Sequence, residues 1–217
     1  MRGIIIKAAH EAFSNQTFDA VNMDEIADNA LLSRATLYNY FDNKEALYFE
    51  VGLDGWNQML ILFPPLMEIE PTGIDKIMKL VPISFRGILK DPLYFNILRR
   101  FMEINKEAKT PIEKSYYSMT PEELENLDKT GDTILLRYFH ELQKYVEIWE
   151  NAIRTGQKDG TIRDDINAKH LTQLTFMYIS GMLDQIVLSL PALENIKLPV
   201  NDAVKILIDN LRKTLTS

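Results

Sequence analysis

The 217-residue sequence predicts an all-α protein. Apolar residues recur at spacings of three and four along most of the chain, whereas the alternating pattern of β-strands is scarce. The nine glycines and nine prolines cluster where breaks between helices are expected. Hydrophobic residues make up 46% of the chain and charged residues 25%, which is typical of a globular protein.

Composition also excludes several classes of protein. No run of 18 apolar residues occurs, so no membrane span is predicted. The N-terminal residues lack the apolar region and cleavage site of a signal peptide. Cysteine is absent, which excludes disulfides, a thiolate zinc site and a cysteine nucleophile. We therefore expect a cytoplasmic protein with no cofactor and no metal.

Four helix starts are predicted in the N-terminal part of the chain. Asn22 is expected to cap the second helix, because Glu25 follows three residues later as in a capping box. Ser33 is expected to cap a third helix, from Arg34 to about Phe41. A fourth helix is expected to run from Lys44 to Phe63. The first helix has one broad apolar face, formed by Ile4, Ile5, Ala8, Ala9, Ala12 and Phe13.

Prolines and glycines divide the rest of the chain. Pro64-Pro65 is expected to end the fourth helix, because proline removes a backbone donor. A loop is expected near residues 106–120 and a turn at residues 156–160. The prolines at 191 and 199 are expected to separate the last two helices. The remaining helices are predicted over 74–89, 92–105, 121–153 with a possible interruption at Gly131, 166–189 and 200–215.

Residues 22–41 have the length pattern of a helix-turn-helix. A short helix, a tight turn at Ala30-Leu31-Leu32 and a second short helix are what this motif requires. The second helix of such a motif places one face in the DNA major groove and the other on the domain core. Leu37 and Phe41 are four residues apart, so both are predicted to face the core.

The other face of this second helix carries groups that suit DNA. Arg34 and Asn39 can hydrogen-bond to base edges, and Ala35 can contact a thymine methyl group. Hydroxyl and ammonium groups elsewhere in the segment can meet phosphate oxygens, and free N–H groups at helix starts can add to them. The predicted DNA-binding residues are Asn22, Ser33, Arg34, Ala35, Thr36, Tyr38, Asn39, Tyr40 and Lys44.

Specific residue identities add a family resemblance to this pattern. The most specific stretches are Ile26-Ala27, Thr36-Leu37-Tyr38-Asn39-Tyr40-Phe41 and Lys44-Glu45-Ala46-Leu47. They closely resemble the N-terminal domain of the TetR family of transcriptional regulators. A weaker similarity to the family's turn before its dimerisation helices lies at residues 156–163.

The resemblance implies an architecture and a function. It implies about nine helices in two domains, with DNA binding in residues 1–46 and ligand sensing and dimerisation in residues 47–217. It also implies a repressor that binds double-stranded operator DNA as a homodimer through its last two helices. Eight apolar residues are expected in the seam or in the core: Leu171, Leu174, Tyr178, Met182, Ile186, Val204, Leu207 and Leu211.

In this family the ligand cavity lies among the middle helices. The resemblance therefore implies a pocket for a small, mostly apolar ligand that releases the operator. An aromatic stripe at helical spacing equally suits a packed core, and that interpretation stays open here. The predicted ligand-binding residues are Trp56, Phe85, Phe101, Met102, Tyr138, Leu142, Tyr145, Trp149 and Tyr178.

Three departures from the family pattern, together with the local charge, affect the DNA-binding prediction. The chain lacks the family's turn glycine, its glycine near Thr17 and the basic arm that often precedes the first helix. Leu31 replaces the family's turn glycine, and a left-handed leucine would cost about 1 kcal/mol or more. We therefore expect a remodelled turn. Residues 1–50 contain four basic and eight acidic side chains, a net charge of −4, so few cations face phosphates. The alternative is a TetR-like scaffold that regulates by binding another protein, with weak or no DNA binding.

Catalysis is not predicted. His140-Glu141 resembles the start of a zinc-protease helix, but Lys144 stands where the second histidine would be required. No glycine-rich phosphate loop or nucleophile elbow occurs in the sequence. The expected function is therefore regulation rather than an enzymatic reaction.

Overall fold

The structure, a computed structural model, describes residues 1–107, 119–120, 122, 134–195, 197 and 199–216. These residues contain nine helices with defined bounds and no strand, which confirms the predicted all-α fold. The helices are α1 (Arg2–Asn15), α2 (Met23–Asn29), α3 (Arg34–Tyr38), α4 (Lys44–Ile69), α5 (Gly73–Lys90), α6 (Leu93–Glu107), α7 (Ile134–Asp159), α8 (Ala168–Asn195) and α9 (Val200–Thr216).

The prediction that Pro64-Pro65 ends the fourth helix is wrong. Both prolines lie inside α4, which continues to Ile69. Each proline removes one backbone hydrogen bond. Phe63, the preceding residue, is fully buried, so its packing favours the helical path despite these losses.

Three further helix ends differ from the prediction. Helix α3 ends at Tyr38 rather than near Phe41, because the N–H of Tyr40 donates to the carbonyl of Leu37 and tightens the last turn. Helix α7 continues to Asp159 and ends where Gly160 adopts a φ of 76°. Helix α8 passes through residue 191, and the chain turns instead at Lys197, whose φ is 55°.

The predicted loop at 106–120 and the predicted helix at 121–153 fall largely on residues 108–118, 121 and 123–133, which lie outside the described residues. The predicted break at Gly131 lies there as well. Among the described parts of these segments, α6 extends to Glu107 and α7 covers the chain from Ile134.

The first of two compact units comprises Met1–Met59 and Asp91–Gln143. Its core joins the N-terminal helices to α4, α6 and the start of α7. Five of the six residues of the predicted apolar face of α1 are buried, namely Ile5, Ala8, Ala9, Ala12 and Phe13, whereas Ile4 is 55% exposed. The fully buried aliphatic residues of this unit include Ile5, Ile26, Leu37, Leu47 and Ile97.

The second compact unit comprises Leu60–Lys90 and Lys144–Ser217. Here the N-terminus of α5 packs directly on the end of α7. The N–H of Gly73 donates to Asp159 Oδ2 at 2.8 Å, and the N–H of Ile74 donates to the Thr161 hydroxyl at 3.2 Å. Hydrogen bonds from the Thr161 hydroxyl and from Gly73 lower the pKa of the Asp159 carboxyl.

The predicted domain boundary between residues 46 and 47 lies inside α4 and stays a prediction. Helices α4 and α7 each contribute residues to both compact units. In the part of the chain that the structure describes, no helix combines the length and the apolar character needed to cross a membrane.

Candidate DNA-binding site

Two capping residues begin the helices of the helix-turn-helix, as the sequence predicts. The Asn22 side chain accepts a hydrogen bond from the N–H of Asp24 at 3.0 Å. The Ser33 hydroxyl accepts one from the N–H of Thr36 at 3.1 Å. Each bond satisfies a backbone donor that has no partner within its own helix. Short polar side chains therefore set where α2 and α3 begin.

The turn between α2 and α3 keeps the left-handed conformation that favours glycine. Leu31 has a φ of 55°, so the expectation of a remodelled turn is wrong. The N–H of Leu31 donates to the backbone carbonyl of Asp28 at 3.0 Å, and the N–H of Leu32 donates to the backbone carbonyl of Ala27 at 2.9 Å. These hydrogen bonds hold the turn. The Leu31 side chain is 92% exposed, so it gains almost no burial in return for its strained backbone.

Leu31→Gly is therefore expected to stabilise the protein by about 1 kcal/mol, because glycine adopts a positive φ without steric cost. Part of the gain is offset, because glycine is more flexible in the unfolded chain. Urea denaturation followed by circular dichroism measures the change. Asn29→Gly is the control, because Asn29 is helical and glycine should destabilise there. A loss of stability in both variants would contradict the strain at Leu31.

Helix α3 presents two distinct faces. Leu37 is fully buried and Phe41, just beyond the helix, is 3% exposed, so both face the core as predicted. Tyr38 and Tyr40 are 37% and 42% exposed. Exposed positions of the predicted DNA-binding set are Asn22, Ser33, Arg34, Ala35, Tyr38, Asn39 and Tyr40, while Thr36 and Lys44 are half-buried. The burial pattern thus separates core residues from those accessible to DNA.

Arg34, the first residue of α3, is oriented by two neighbours. Its Nη1 donates to Asp24 Oδ2 at 3.1 Å, and its guanidinium carbon lies 5.5 Å from the centre of the Tyr38 ring. The Arg34 side chain is still 66% exposed, so it remains accessible. Sequence reasoning did not identify Asp24 as its partner, because a separation of ten residues across a turn leaves no periodic signal.

Lys44 has a structural role that its sequence position does not reveal. Its Nζ donates to the carbonyl oxygens of Val21 at 2.9 Å and Asp19 at 3.2 Å. It also lies 4.6 Å from the centre of the Phe18 ring. An ammonium group has three N–H donors, so these two bonds leave one for a phosphate oxygen.

Phe18, in the loop between α1 and α2, is contacted by a second cation besides Lys44. The guanidinium carbon of Arg100, on α6, lies 3.8 Å from the centre of the Phe18 ring. The Arg100 Nη2 also donates to Glu45 at 2.9 Å. The loop between α1 and α2 is therefore held by cations from α4 and α6. The sequence carries no signal that would identify Arg100 as the partner of Phe18, because the two residues are far apart along the chain.

The predicted ligand-binding residues divide between the two compact units. Trp56, Phe101, Met102, Tyr138 and Leu142 belong to the first unit. Tyr138 is 1% exposed and its ring lies 5.2 Å from Phe49, 5.1 Å from Phe101 and 5.9 Å from Trp56. Burial raises the pKa of the Tyr138 hydroxyl. Met102 is 52% exposed, which separates it from this aromatic cluster.

The second unit contains the other four candidates, Phe85, Tyr145, Trp149 and Tyr178. The Tyr145 hydroxyl lies 3.1 Å from the Ser84 hydroxyl. Burial raises the pKa of the Tyr145 hydroxyl. The Tyr178 hydroxyl donates to the carbonyl of Leu207 at 3.5 Å. Sequence reasoning missed two rings that join this interior: Phe63 lies 5.6 Å from Tyr145, and Phe176 lies 5.2 Å from Trp149.

Comparison with known proteins agrees with the geometry of the N-terminal helices. The family model described as bacterial regulatory proteins, tetR family, matches residues 5–51. The HTH-type transcriptional activator FasR of Mycolicibacterium smegmatis is 44% identical over 50 residues, which cover 23% of each chain. IcaR of Staphylococcus aureus, a negative transcriptional regulator of the biofilm operon icaADBC, is 25% identical over 76% of this chain and 90% of its own.

Solved structures agree with the whole fold. FadR of Bacillus subtilis, solved in complex with stearoyl-CoA, superposes with a TM-score of 0.64 at 17% identity, over 96% of this chain and 98% of its own. FadR of Bacillus halodurans, described as a fatty acid degradation regulator, superposes with a TM-score of 0.66 at 15% identity, over 98% of both chains. At such identities the likeness establishes the fold.

The helix-turn-helix geometry, the family model over residues 5–51 and the regulators among the similar proteins point to one family. The resemblance identified in the sequence is confirmed. Residues 5–51 therefore form a helix-turn-helix domain of the TetR family of bacterial regulatory proteins.

Proposed function

We propose that this chain is a cytoplasmic, non-enzymatic repressor that binds operator DNA as a homodimer and leaves it when a small, mostly apolar ligand binds. The observation that carries the proposal is that the segment containing α3 has one buried face and one exposed polar face. Leu37 and Phe41 hold this segment on the core, while Arg34, Ala35 and Asn39 remain exposed. A rigidly packed helix with an accessible polar face is what readout of a major groove requires.

The exposed groups suggest distinct roles at the operator. Arg34 and Asn39 read base edges, and Ala35 contacts a thymine methyl group. The side chains at the edges of this face, including the caps of α2 and α3, fix the register on the DNA backbone. These positioning residues are Asn22, Ser33, Thr36, Tyr38, Tyr40 and Lys44.

An exposed apolar stripe on α8 supports dimerisation through the last two helices. Leu174, Met177 and Leu188 are 50%, 69% and 72% exposed. With Gly181 they follow spacings of three, four and seven residues, which is the pattern of a helix–helix seam. Outside its own helical turn, a Cβ at Gly181 would meet no atom of the described residues within 4 Å, so a second helix has room to approach there.

The residues of this stripe differ partly from those expected in the sequence. Leu171, Ile186 and Leu211 are buried within the chain, so they contribute to its own core. Leu174 alone among the eight seam candidates is exposed on α8, while Ile206, which was not a candidate, is 58% exposed on α9. The occupant we propose for this surface is a second copy of the chain.

The aromatic interior of the second unit supports an apolar ligand with few polar groups. Phe63, Tyr145, Trp149 and Phe176 lie close together, and Tyr145 with Ser84 supplies hydroxyl groups. A similar fold binds stearoyl-CoA in FadR of Bacillus subtilis. We therefore propose a fatty-acyl compound as the ligand class, with the acyl chain as the group that the interior accepts.

A mobility-shift titration with the DNA upstream of the gene tests the repressor proposal. Arg34→Ala is expected to weaken operator binding by about 1–3 kcal/mol, which corresponds to roughly fivefold to 150-fold, and to relax specificity at one base pair. Tyr38→Ala is expected to weaken operator and random duplex alike. Arg86→Ala removes the same charge from an exposed position of α5 and serves as the matched control.

Several outcomes of the titration would contradict the proposal. If the wild-type protein prefers no upstream duplex over random DNA, operator binding fails and the protein-binding alternative replaces it. If Arg86→Ala weakens binding as much as Arg34→Ala, the effect is general charge rather than readout. Adding stearoyl-CoA or choline to the preformed complex tests release, and release by choline alone would contradict an acyl ligand.

A further inference from the structure

A buried carboxylate on α4 holds two arginines that are far apart in sequence. Glu50 is 7% exposed. Its Oε1 lies 2.5 Å from Arg2 Nη2, at the start of α1, and 2.6 Å from Arg137 Nη1, on α7. A carboxylate removed from water needs such partners, because an unpaired buried charge is costly. Glu50 therefore joins three helices of the first compact unit.

Arg2 also reaches the end of residues 34–41, the recognition segment that contains α3. Its guanidinium carbon lies 4.8 Å from the centre of the Phe41 ring. Phe41 is buried, and its N–H donates to the carbonyl of Leu37 at 3.1 Å. One guanidinium group thus contacts both the α4 carboxylate and the aromatic ring that anchors the segment containing α3.

We propose that Arg2 is a positioning residue for operator binding, which fixes the end of the recognition segment relative to α4 through Glu50 and Phe41. This inference rests on the proposed function. A basic residue at the start of a DNA-binding domain would ordinarily be assigned to a phosphate. Here its guanidinium is turned to a buried carboxylate, so its contribution to DNA affinity comes through geometry.

Salt dependence separates a positioning arginine from one that contacts a phosphate. Affinity falls as salt rises, and loss of one phosphate contact makes the slope of log affinity against log salt shallower by about 0.9, because about one fewer counterion is released. Arg2→Ala is expected to lower operator affinity about tenfold, which equals about 1.4 kcal/mol, with the slope unchanged. Lys7→Ala removes the same charge from an exposed position of the same helix and is the matched control.

Hydrogen exchange of the DNA-free protein gives a second, independent measurement. Arg2→Ala is expected to speed exchange of the Leu37 and Phe41 amides, while the amide of Ile26 in α2 exchanges as in the wild type. A merely structural loss would speed all three amides together. Lys7→Ala is expected to change none of them.

Each result bears on the proposal. A salt dependence that becomes shallower by about 0.9 in Arg2→Ala would make Arg2 a phosphate contact and overturn the positioning role. Unchanged exchange at Phe41, or equal losses of affinity in Arg2→Ala and Lys7→Ala, would also overturn it. If the wild-type protein prefers no operator while Phe41 exchange responds as expected, the repressor proposal fails but the anchoring of the recognition segment stands.

Discussion

Gly73→Ala is expected to destabilise the second compact unit by about 1–3 kcal/mol or more. A Cβ at Gly73 would overlap the N and Cα of Gly156 and the carbonyl oxygen of Ala152, which are all backbone atoms. No change of side-chain rotamer relieves such an overlap, so α5 and α7 must separate. That separation also weakens the hydrogen bond from the Gly73 N–H to Asp159.

Urea denaturation measures this effect unit by unit. The sequence has two tryptophans, and Trp56 falls in the first unit whereas Trp149 falls in the second. In a Trp56→Phe background, Trp149 fluorescence reports the second unit. Gly3→Ala is the control, because a Cβ there would meet no atom within 4 Å among the described residues beyond its own helical turn, and alanine favours a helix by about 0.5–1 kcal/mol. Equal stabilities of the two variants would contradict the close packing at Gly73.

Trp149→Ala is expected to cost about 3–5 kcal/mol of unfolding free energy. Trp149 is 1% exposed, and its ring centre lies 6.2 Å from that of Tyr145 and 5.2 Å from that of Phe176. Removing the indole leaves a cavity that the neighbouring rings fill only in part. Thermal denaturation followed by circular dichroism at 222 nm measures the loss.

Met102→Ala is the matched comparison for Trp149→Ala. Both residues are candidate ligand contacts in the sequence, yet Met102 is 52% exposed. Its replacement is expected to change stability by less than about 0.5 kcal/mol. A small effect of Trp149→Ala, similar to that of Met102→Ala, would show that the indole is not part of a tightly packed interior.

The N-terminal domain shows how far local signals reach. Asn22 and Ser33 identify the starts of α2 and α3, because a capping side chain bonds to a backbone donor only two or three residues away. The spacing of Leu37 and Phe41 identifies the buried side of the recognition segment for the same reason. Both features depend on fewer than ten consecutive residues, so the sequence predicts them correctly.

Residue identity added what periodicity could not. A pair of short helices around a tight turn is common to many proteins, and only the particular residues between Ile26 and Leu47 indicated the TetR family. The sequence shows that Leu31 stands where the family has its turn glycine, but it does not show which backbone conformation Leu31 adopts. The flanking hydrogen bonds keep the left-handed φ of 55°, and the strain remains in the backbone.

The sequence by itself therefore determined the helical class, the caps and faces of α2 and α3, and the family of the N-terminal domain. Only the tertiary structure decided that Lys44 and Arg2 hold the domain together, that Asp24 orients Arg34, and that α4 continues through its two prolines. The physical reason is the separation along the chain over which each interaction acts. Caps and helical faces arise from neighbours along the chain, whereas ion pairs such as Arg2 with Glu50 arise from packing of segments that are distant in sequence.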